Sequence, residues 1–231
     1  MKRIVGMMGA KRSGKDTIGE FLAAEGWTRL SFAALLYEEI SHGYGVTVER
    51  LQHPATKDSP QPWLALKHCS NWEFIQTMLA LEPDADREEA MNRPRSPREI
   101  LQKWGTEYRR EKYRSDYWTA PIKEKILANP ESRYVITDVR LENEIALIKD
   151  LGGVTARVIR PAQNLDQNLD PGLKHSSEQL WRVVEVDMEF INLEGLENLQ
   201  KLRKEVIEFV DSSQESDEEK LCADNRMAWR A

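Results

Sequence analysis

Gly9-Ala10-Lys11-Arg12-Ser13-Gly14-Lys15-Asp16-Thr17 follows directly on the apolar run Ile4-Val5-Gly6-Met7-Met8 and leads directly into the helical pattern Ile18-Gly19-Glu20-Phe21-Leu22. A strand, a glycine-bounded loop and a helix in that order form the arrangement of a phosphate-binding P-loop. The residue types match what such a loop needs. Gly9 and Gly14 let the backbone curl so that its N–H groups point inward, and Lys15 supplies a cation for the β- and γ-phosphates. The start of the helix adds its partial positive charge. Gly9, Lys11, Arg12, Ser13, Gly14, Lys15, Asp16 and Thr17 are therefore the residues expected to hold a nucleoside triphosphate such as ATP.

One position departs from the common motif. Asp16 stands where Ser or Thr is usual, and the hydroxyl arrives one residue later as Thr17. A carboxylate there can hold Mg²⁺ directly or through water, with Thr17 as the alternative ligand. The plainer reading makes Asp16 a first-turn acid favoured by the helix dipole.

Composition narrows the class. The chain has 231 residues, enough for one domain with insertions and a substantial core, and a formal net charge of −6. That balance argues against a protein that coats nucleic acid, so no nucleic-acid partner is expected. Ile4 to Met8 is too short for the apolar region of a signal peptide, and no apolar stretch approaches a membrane span. Cys69 and Cys222 lie far apart without metal-ligand spacing, which points to reduced thiols and a cytoplasmic protein.

Further along, apolar and helical patterns alternate as a parallel sheet with crossover helices requires. Trp27 to Phe32 reads as a second strand and Ala33 to Ile40 as a helix. Residues 42–97 break this rhythm: prolines at 54, 60, 62, 83, 94 and 97 fragment them, while Asn71 to Leu81 looks helical. They read as an inserted, partly helical region on the substrate side. Pro97 opens an amphipathic helix to about Tyr108, and Tyr117 to Ala128 suggests another. Arg133 to Val139 is the strongest later strand, followed by helix Glu142 to Leu151, the turn Gly152-Gly153 and strand Val154 to Ile159, a βαβ unit. Residues 160–176 form a candidate lid. Val183 to Asp187 and Phe190 to Leu193 offer a last strand, and Leu196 to Val210 a closing helix. The expected fold class is α/β: a three-layer P-loop fold over residues 1–210 with a parallel sheet, a helical insertion and a lid, then an acidic tail at 211–231.

A P-loop alone does not name a reaction. The chain has no N-K-x-D guanine-specificity motif and no L-S-G-G-Q signature, which leaves a small-molecule kinase as the favoured class.

Five separated segments carry a more specific likeness. They are G-A-K-R-S-G-K-D-T at 9–17, S-F-A at 31–33, R-E-I-L-Q-K-W-G-T-E at 98–107 with D-Y-W at 116–118, I-T-D-V-R-L-E-N-E at 136–144, and R-P at 160–161 with H-S-S-E at 175–178. In this order the chain resembles the bacteriophage deoxynucleoside monophosphate kinases over residues 1 to about 210. The resemblance implies transfer of the γ-phosphoryl group of ATP, with Mg²⁺, to the 5′-phosphate of a deoxynucleoside monophosphate. Such enzymes commonly dimerise, so a homodimer is the expectation.

Bringing two polyanions together makes catalysis a matter of positioning and charge neutralisation. On that basis Lys15, Asp138, Arg140 and Arg160 are the expected catalytic residues. Arg98 and Arg140 are candidate clamps on the acceptor phosphate, because an arginine fork matches phosphate oxygens. Asp138, at the carboxyl end of its strand, can orient a Mg²⁺-bound water or hold the deoxyribose or base, or simply cap the next helix. Arg160, at the start of the lid, is a candidate internal arginine finger. Phe32, Ala33, Gly105, Thr106, Trp118 and Glu144 complete the expected acceptor contacts. Gly105 and Thr106 interrupt a helix where glycine costs about 1 kcal/mol against alanine, so a kink or a close approach to nucleotide is expected there. Trp118 is a candidate stack on the base and Glu144 a candidate acceptor from its amine or the sugar; core packing and a surface ion pair are their alternatives. His175 and Glu178 match the lid motif, and His175 is given no proton-transfer role, because an ionised phosphate acceptor needs no general base.

Two departures bear on the acceptor. Family members commonly place a lysine where this chain has Tyr37, and Trp63, Trp72 and Phe74 add aromatic bulk within the insertion. The alternatives are a kinase of a modified pyrimidine, as monophosphate or within DNA, a metabolite kinase of the dephospho-coenzyme A or phosphomevalonate type, and a nucleotide-binding protein without turnover.

Overall fold

A strand covered on both faces has no polar face to alternate, and Ile4-Val5-Gly6-Met7-Met8 behaves as such a run: β1 (Ile4–Met8) is buried along its whole length. The computed structural model describes residues 3–161, 180–193, 195 and 197–211. After β1 come α1 (Lys15–Ala24), β2 (Thr28–Leu30), α2 (Ala34–Tyr44) and α3 (Val48–Gln52). Next are α4 (Trp72–Leu81), α5 (Arg87–Asn92) and α6 (Pro97–Lys103), then α7 (Ala120–Ala128) and β3 (Tyr134–Ile136). The chain continues with α8 (Glu142–Asp150), β4 (Val154–Ile159), α9 (Leu180–Val183), β5 (Met188–Ile191) and a helix over 197–211, α10.

The strands form one parallel sheet in the order β2-β3-β1-β4-β5. β1 takes the centre, with Val5 opposite Val135 on one side and Val154 on the other. Its carboxyl end, where the glycine-bounded loop 9–14 begins, therefore lies in the middle of the sheet rather than at an edge. The α/β class with a parallel sheet is the observed fold.

Two compact units divide the chain: Met1–Ser31 with Ile122–Ala231, and Phe32–Pro121. The first holds the sheet, and Met7, Ile18, Leu22, Val135, Val158, Phe190, Leu202 and Val206 make its core. The second is helical. Its core joins Ile40 and Tyr44 of α2 to Leu51, Leu64, Phe74, Met78, Ile100 and Trp104. It begins earlier and ends later than the proline-rich stretch 42–97, because α2 and α6 bury their apolar faces against the inserted helices. Local caps set several starts here: Thr47, Asn71, Asp86 and Ser96 each accept a backbone N–H of the turn that follows.

Several sequence expectations shift. β2 is shorter than Trp27 to Phe32, and β3 shorter than Arg133 to Val139. No strand forms over Val183 to Asp187. Val183 closes the short helix α9, and the Asp187 carboxylate instead accepts the Thr155 amide at 2.7 Å and hydroxyl at 2.8 Å. The α6 helix does not stop at Gly105 but widens into a π-helical segment, Trp104–Glu111. Cys69 is a buried free thiol that burial pushes up to about 11, so it stays protonated at neutral pH. The proposed lid from residue 162 to 176, His175, Glu178 and the tail from residue 212 lie outside the described residues. Among the described residues no helix is long and apolar enough to cross a membrane.

Candidate functional site

The loop after β1 owes its shape to two glycines. Gly9 has φ +148°, and a Cβ there would sit 2.4 Å from the Val158 carbonyl oxygen of the neighbouring strand. Gly14 has φ +102° and N-caps α1, leaving the helix start without a side-chain cap. First-turn amides of a helix have no intrahelical acceptor, so an uncapped start offers its N–H groups and its dipole to an anion. Arg12 also adopts a left-handed conformation, φ 64°, the single non-glycine residue to do so among the described residues.

Neighbouring strand ends hold the outside of the loop. Asn192, just past β5, donates its amide to the Ser13 carbonyl at 2.8 Å and is itself fixed by Asn198 at 3.1 Å. Arg160, just past β4, donates to the Arg12 carbonyl at 3.4 Å. The Ser13 N–H between these two carbonyls donates to the Ala10 carbonyl at 3.2 Å, closing a turn of the loop. Ser13 is fully buried, and its hydroxyl has no hydrogen-bond partner among the described residues. A buried polar atom of that kind fits a loop whose ligand completes it.

Lys15 is buried at the start of α1, with its ammonium 3.3 Å from Asp16 Oδ2. The other Asp16 oxygen accepts the Thr137 hydroxyl at 2.8 Å and the Arg29 guanidinium at 3.2 Å. Burial alone raises the Asp16 carboxyl, but Lys15, the Thr137 hydroxyl and Arg29 together outweigh it and hold the group below its ordinary value. Asp16 is thus ionised at neutral pH. Among the described residues no three His, Cys, Asp or Glu side chains gather to hold a metal by themselves. Mg²⁺ needs no such cage, since it binds through one or two carboxylates together with substrate phosphates and water. Asp16, with the half-buried Thr17 beside it, fits that role.

At the carboxyl end of β3, Asp138 is half-buried and accepts the Ser31 hydroxyl at 2.7 Å. Arg140 is exposed, and its backbone N–H donates to Glu144 Oε2 at 2.7 Å. The same oxygen accepts the Leu141 amide at 3.1 Å. Glu144 is 3 % exposed, and its carboxylate closes the start of α8. The position is therefore a buried cap and not the surface ion pair that was its plainer alternative.

In the helical unit, Trp118 is 3 % exposed and donates its indole N–H to the Gly105 carbonyl at 3.0 Å. That carbonyl lies in the π-helical segment Trp104–Glu111. Core packing, rather than a base stack, is the position observed, and Gly105 serves that contact, with Leu36 3.3 Å from where its Cβ would stand. Thr106 is half-buried in the same segment, Phe32 is buried, and Ala33 caps α2. Arg98 pairs with Asp58, and its amide donates to the Lys57 carbonyl at 3.0 Å.

Lys15, Asp16, Asp138, Arg140, Arg160 and the loop thus gather at the carboxyl ends of β1, β3 and β4. Arg29, Thr137, Ser31 and Asn192 were not anticipated as parts of this assembly. Thr137 and Ser31 stand inside the segments I-T-D and S-F-A, and only pairing across the sheet shows what they touch. Asn192 and Arg29 carry no local signal.

No known family profile matches the chain, and no curated protein sequence does. Several solved structures align with the chain over most of its length. A dephospho-CoA kinase from Campylobacter jejuni is 13 % identical over 90 % of this chain and 97 % of its own, with a TM-score of 0.46. The protein TT1252 from Thermus thermophilus is 18 % identical over 89 % and 96 %, TM-score 0.44. A shikimate kinase from Aquifex aeolicus is 12 % identical over 91 % and 98 %, TM-score 0.43.

Proposed function

We propose that this chain is an ATP-dependent phosphotransferase whose acceptor is itself a phosphate ester, with a deoxynucleoside 5′-monophosphate as the favoured acceptor. The observation that carries the reading is the assembly at the end of β1. There a buried lysine, an uncapped helix start and an unsatisfied buried Ser13 hydroxyl face one loop. Each group suits an anion, and together they suit a polyphosphate.

The chemistry asks little covalent work of the protein. The acceptor phosphate is already ionised, so no general base is needed, and the rate depends on alignment and on neutralising charge as it spreads over the transferred group. Lys15 supplies the fixed cation on the donor side. Mg²⁺ carried with ATP would supply further charge neutralisation, and Asp16 is the residue that would hold it. Arg140 and Arg160 stand at strand ends where ligands of open α/β sheets gather, and serve as further cations. In the helical unit Arg98 and Lys57 are the candidate acceptor-side cations.

The test is ADP release from Mg·ATP by the purified chain. Parallel reactions contain dTMP, dGMP, dCMP, dAMP, 5-hydroxymethyl-dUMP, dephospho-coenzyme A, phosphomevalonate, or no acceptor. Stimulation by one or more deoxynucleotides is expected. Stimulation by a metabolite alone moves the assignment to that acceptor, and ATP binding without any acceptor-dependent release leaves a nucleotide-binding protein.

A further inference from the structure

A hydroxyl after the P-loop lysine is neutral, whereas Asp16 brings a full negative charge to the place where a polyphosphate must sit. Lys15 cannot offset both. Its ammonium is 3.3 Å from Asp16 Oδ2, so with these two residues alone the start of α1 carries no net side-chain charge. The second cation comes from a neighbouring strand. Arg29 of β2 places Nη2 3.2 Å from Asp16 Oδ1 and 3.3 Å from the Thr137 hydroxyl, which itself donates to the same oxygen at 2.8 Å.

We infer that Arg29 is the counter-charge that lets a carboxylate stand at position 16 beside a bound polyphosphate, with Thr137 fixing which carboxylate oxygen it holds. Lys15 and Arg29 against Asp16 leave one net positive charge, the balance that a lysine followed by a neutral hydroxyl provides. Glu20 lies 3.6 Å from the far nitrogen Nη1 of Arg29; both carboxylates are more than half exposed, 65 % for Glu20 and 56 % for Asp16, but Asp16 is the nearer at 3.2 Å and the one that Thr137 also fixes. The support is rigid. Thr137 is buried at the end of β3, and α1 approaches it so closely that a Cβ on Gly19 would fall 2.5 Å from Thr137 Cγ2. The Asp16 carboxylate is therefore held on one side by Thr137 and Arg29, with its other oxygen turned to Lys15.

Arg29 acts through Asp16 and is a positioning residue, not a catalytic one. The inference rests on the polyphosphate reading of the loop and not on the identity of the acceptor. Its test is calorimetric binding of ATP in excess EDTA to the full chain and to Arg29→Met, Arg29→Lys, Asp16→Asn and the double variant combining Arg29→Met with Asp16→Asn, each checked for an intact thermal transition. Arg29→Met is expected to weaken ATP by about tenfold in the native background and by less than about twofold in the Asp16→Asn background, because without the carboxylate there is no charge to offset. Arg29→Lys keeps the charge and is expected to restore most of the affinity. Equal losses in the two backgrounds, no rescue by lysine, or no ATP binding by the native chain would each overturn the inference. Should the coupling appear while no acceptor stimulates ADP release, the kinase reading fails and the counter-charge stands.

Discussion

The Lys57 ammonium lies 3.0 Å from the Tyr37 hydroxyl, reaching α2 from the loop that follows α3. Its partner is a phenol hydroxyl and not a carboxylate, so the contact brings no opposite charge. Tyr37 is the position where the resemblance leads one to expect a lysine, and the loop brings a cation to it from twenty residues downstream. Removing that charge by Lys57→Met is expected to raise KM for the phosphorylated acceptor by about tenfold while leaving KM for ATP unchanged. Steady-state kinetics with each substrate varied in turn checks this, and an unchanged acceptor KM removes Lys57 from the site.

Lys15→Ala takes away the buried cation of the phosphate loop. Turnover should fall by orders of magnitude with the fold retained, as circular dichroism and the melting temperature would report. Full activity in this variant would be incompatible with the proposed chemistry.

Asp16 gives a pH prediction with a definite sign. Its folded carboxyl lies below the ordinary value, so its contribution to stability is present at neutral pH, and is lost as pH falls through the folded value. Carbon-detected NMR titration should place its midpoint below 3.8, and Arg29→Met or Thr137→Val should move the midpoint upward. In step with this, the stability gap between native protein and Asp16→Asn should close on acidification.

Trp104 anchors the helical unit. Its ring lies 4.4 Å from Phe74 and 5.4 Å edge-on from Tyr108, and its indole N–H donates to Glu39 at 2.8 Å. Trp104→Ala should cost about 3–5 kcal/mol, chiefly through the cavity it leaves, since Glu39 keeps Arg109 and Tyr117 as partners at 2.7 and 2.6 Å. Denaturant unfolding followed by far-UV circular dichroism measures this directly.

Gly14→Ala tests the loop's backbone. The φ of +102° strains any L side chain, and the new Cβ would meet Asn192 Nδ2 and Leu199 Cδ2, both at 2.6 Å. Nucleotide affinity should fall more steeply than stability, because Asn192 also holds the Ser13 carbonyl. Calorimetry and thermal melting on one sample separate the two effects.

The phosphate loop, the order of strands and helices around it, and the α/β class were legible from local pattern, because a glycine-bounded loop between an apolar run and a helix leaves the backbone few choices. The π-segment was partly legible: Gly105 announced an irregularity, but the Trp118 indole that donates to its carbonyl comes from thirteen positions away. Glu144 shows the opposite limit. Its place at the start of a helix was readable, yet whether its carboxylate turned outward or back to the Arg140 and Leu141 amides depended on burial that spacing does not encode.

By itself, the sequence determined that β1 ends in a glycine-bounded loop with Lys15 at the head of a helix, since φ-permissive glycines, an apolar run and helical periodicity are short-range properties. The tertiary structure alone decided what surrounds that lysine. Parallel pairing of β2 with β3, Leu30 opposite Ile136, carries Arg29 and Thr137 to Asp16 from positions thirteen and 121 residues away. The electrostatics of position 16 are set by distances in space, and strand register fixes those distances only once the sheet has formed.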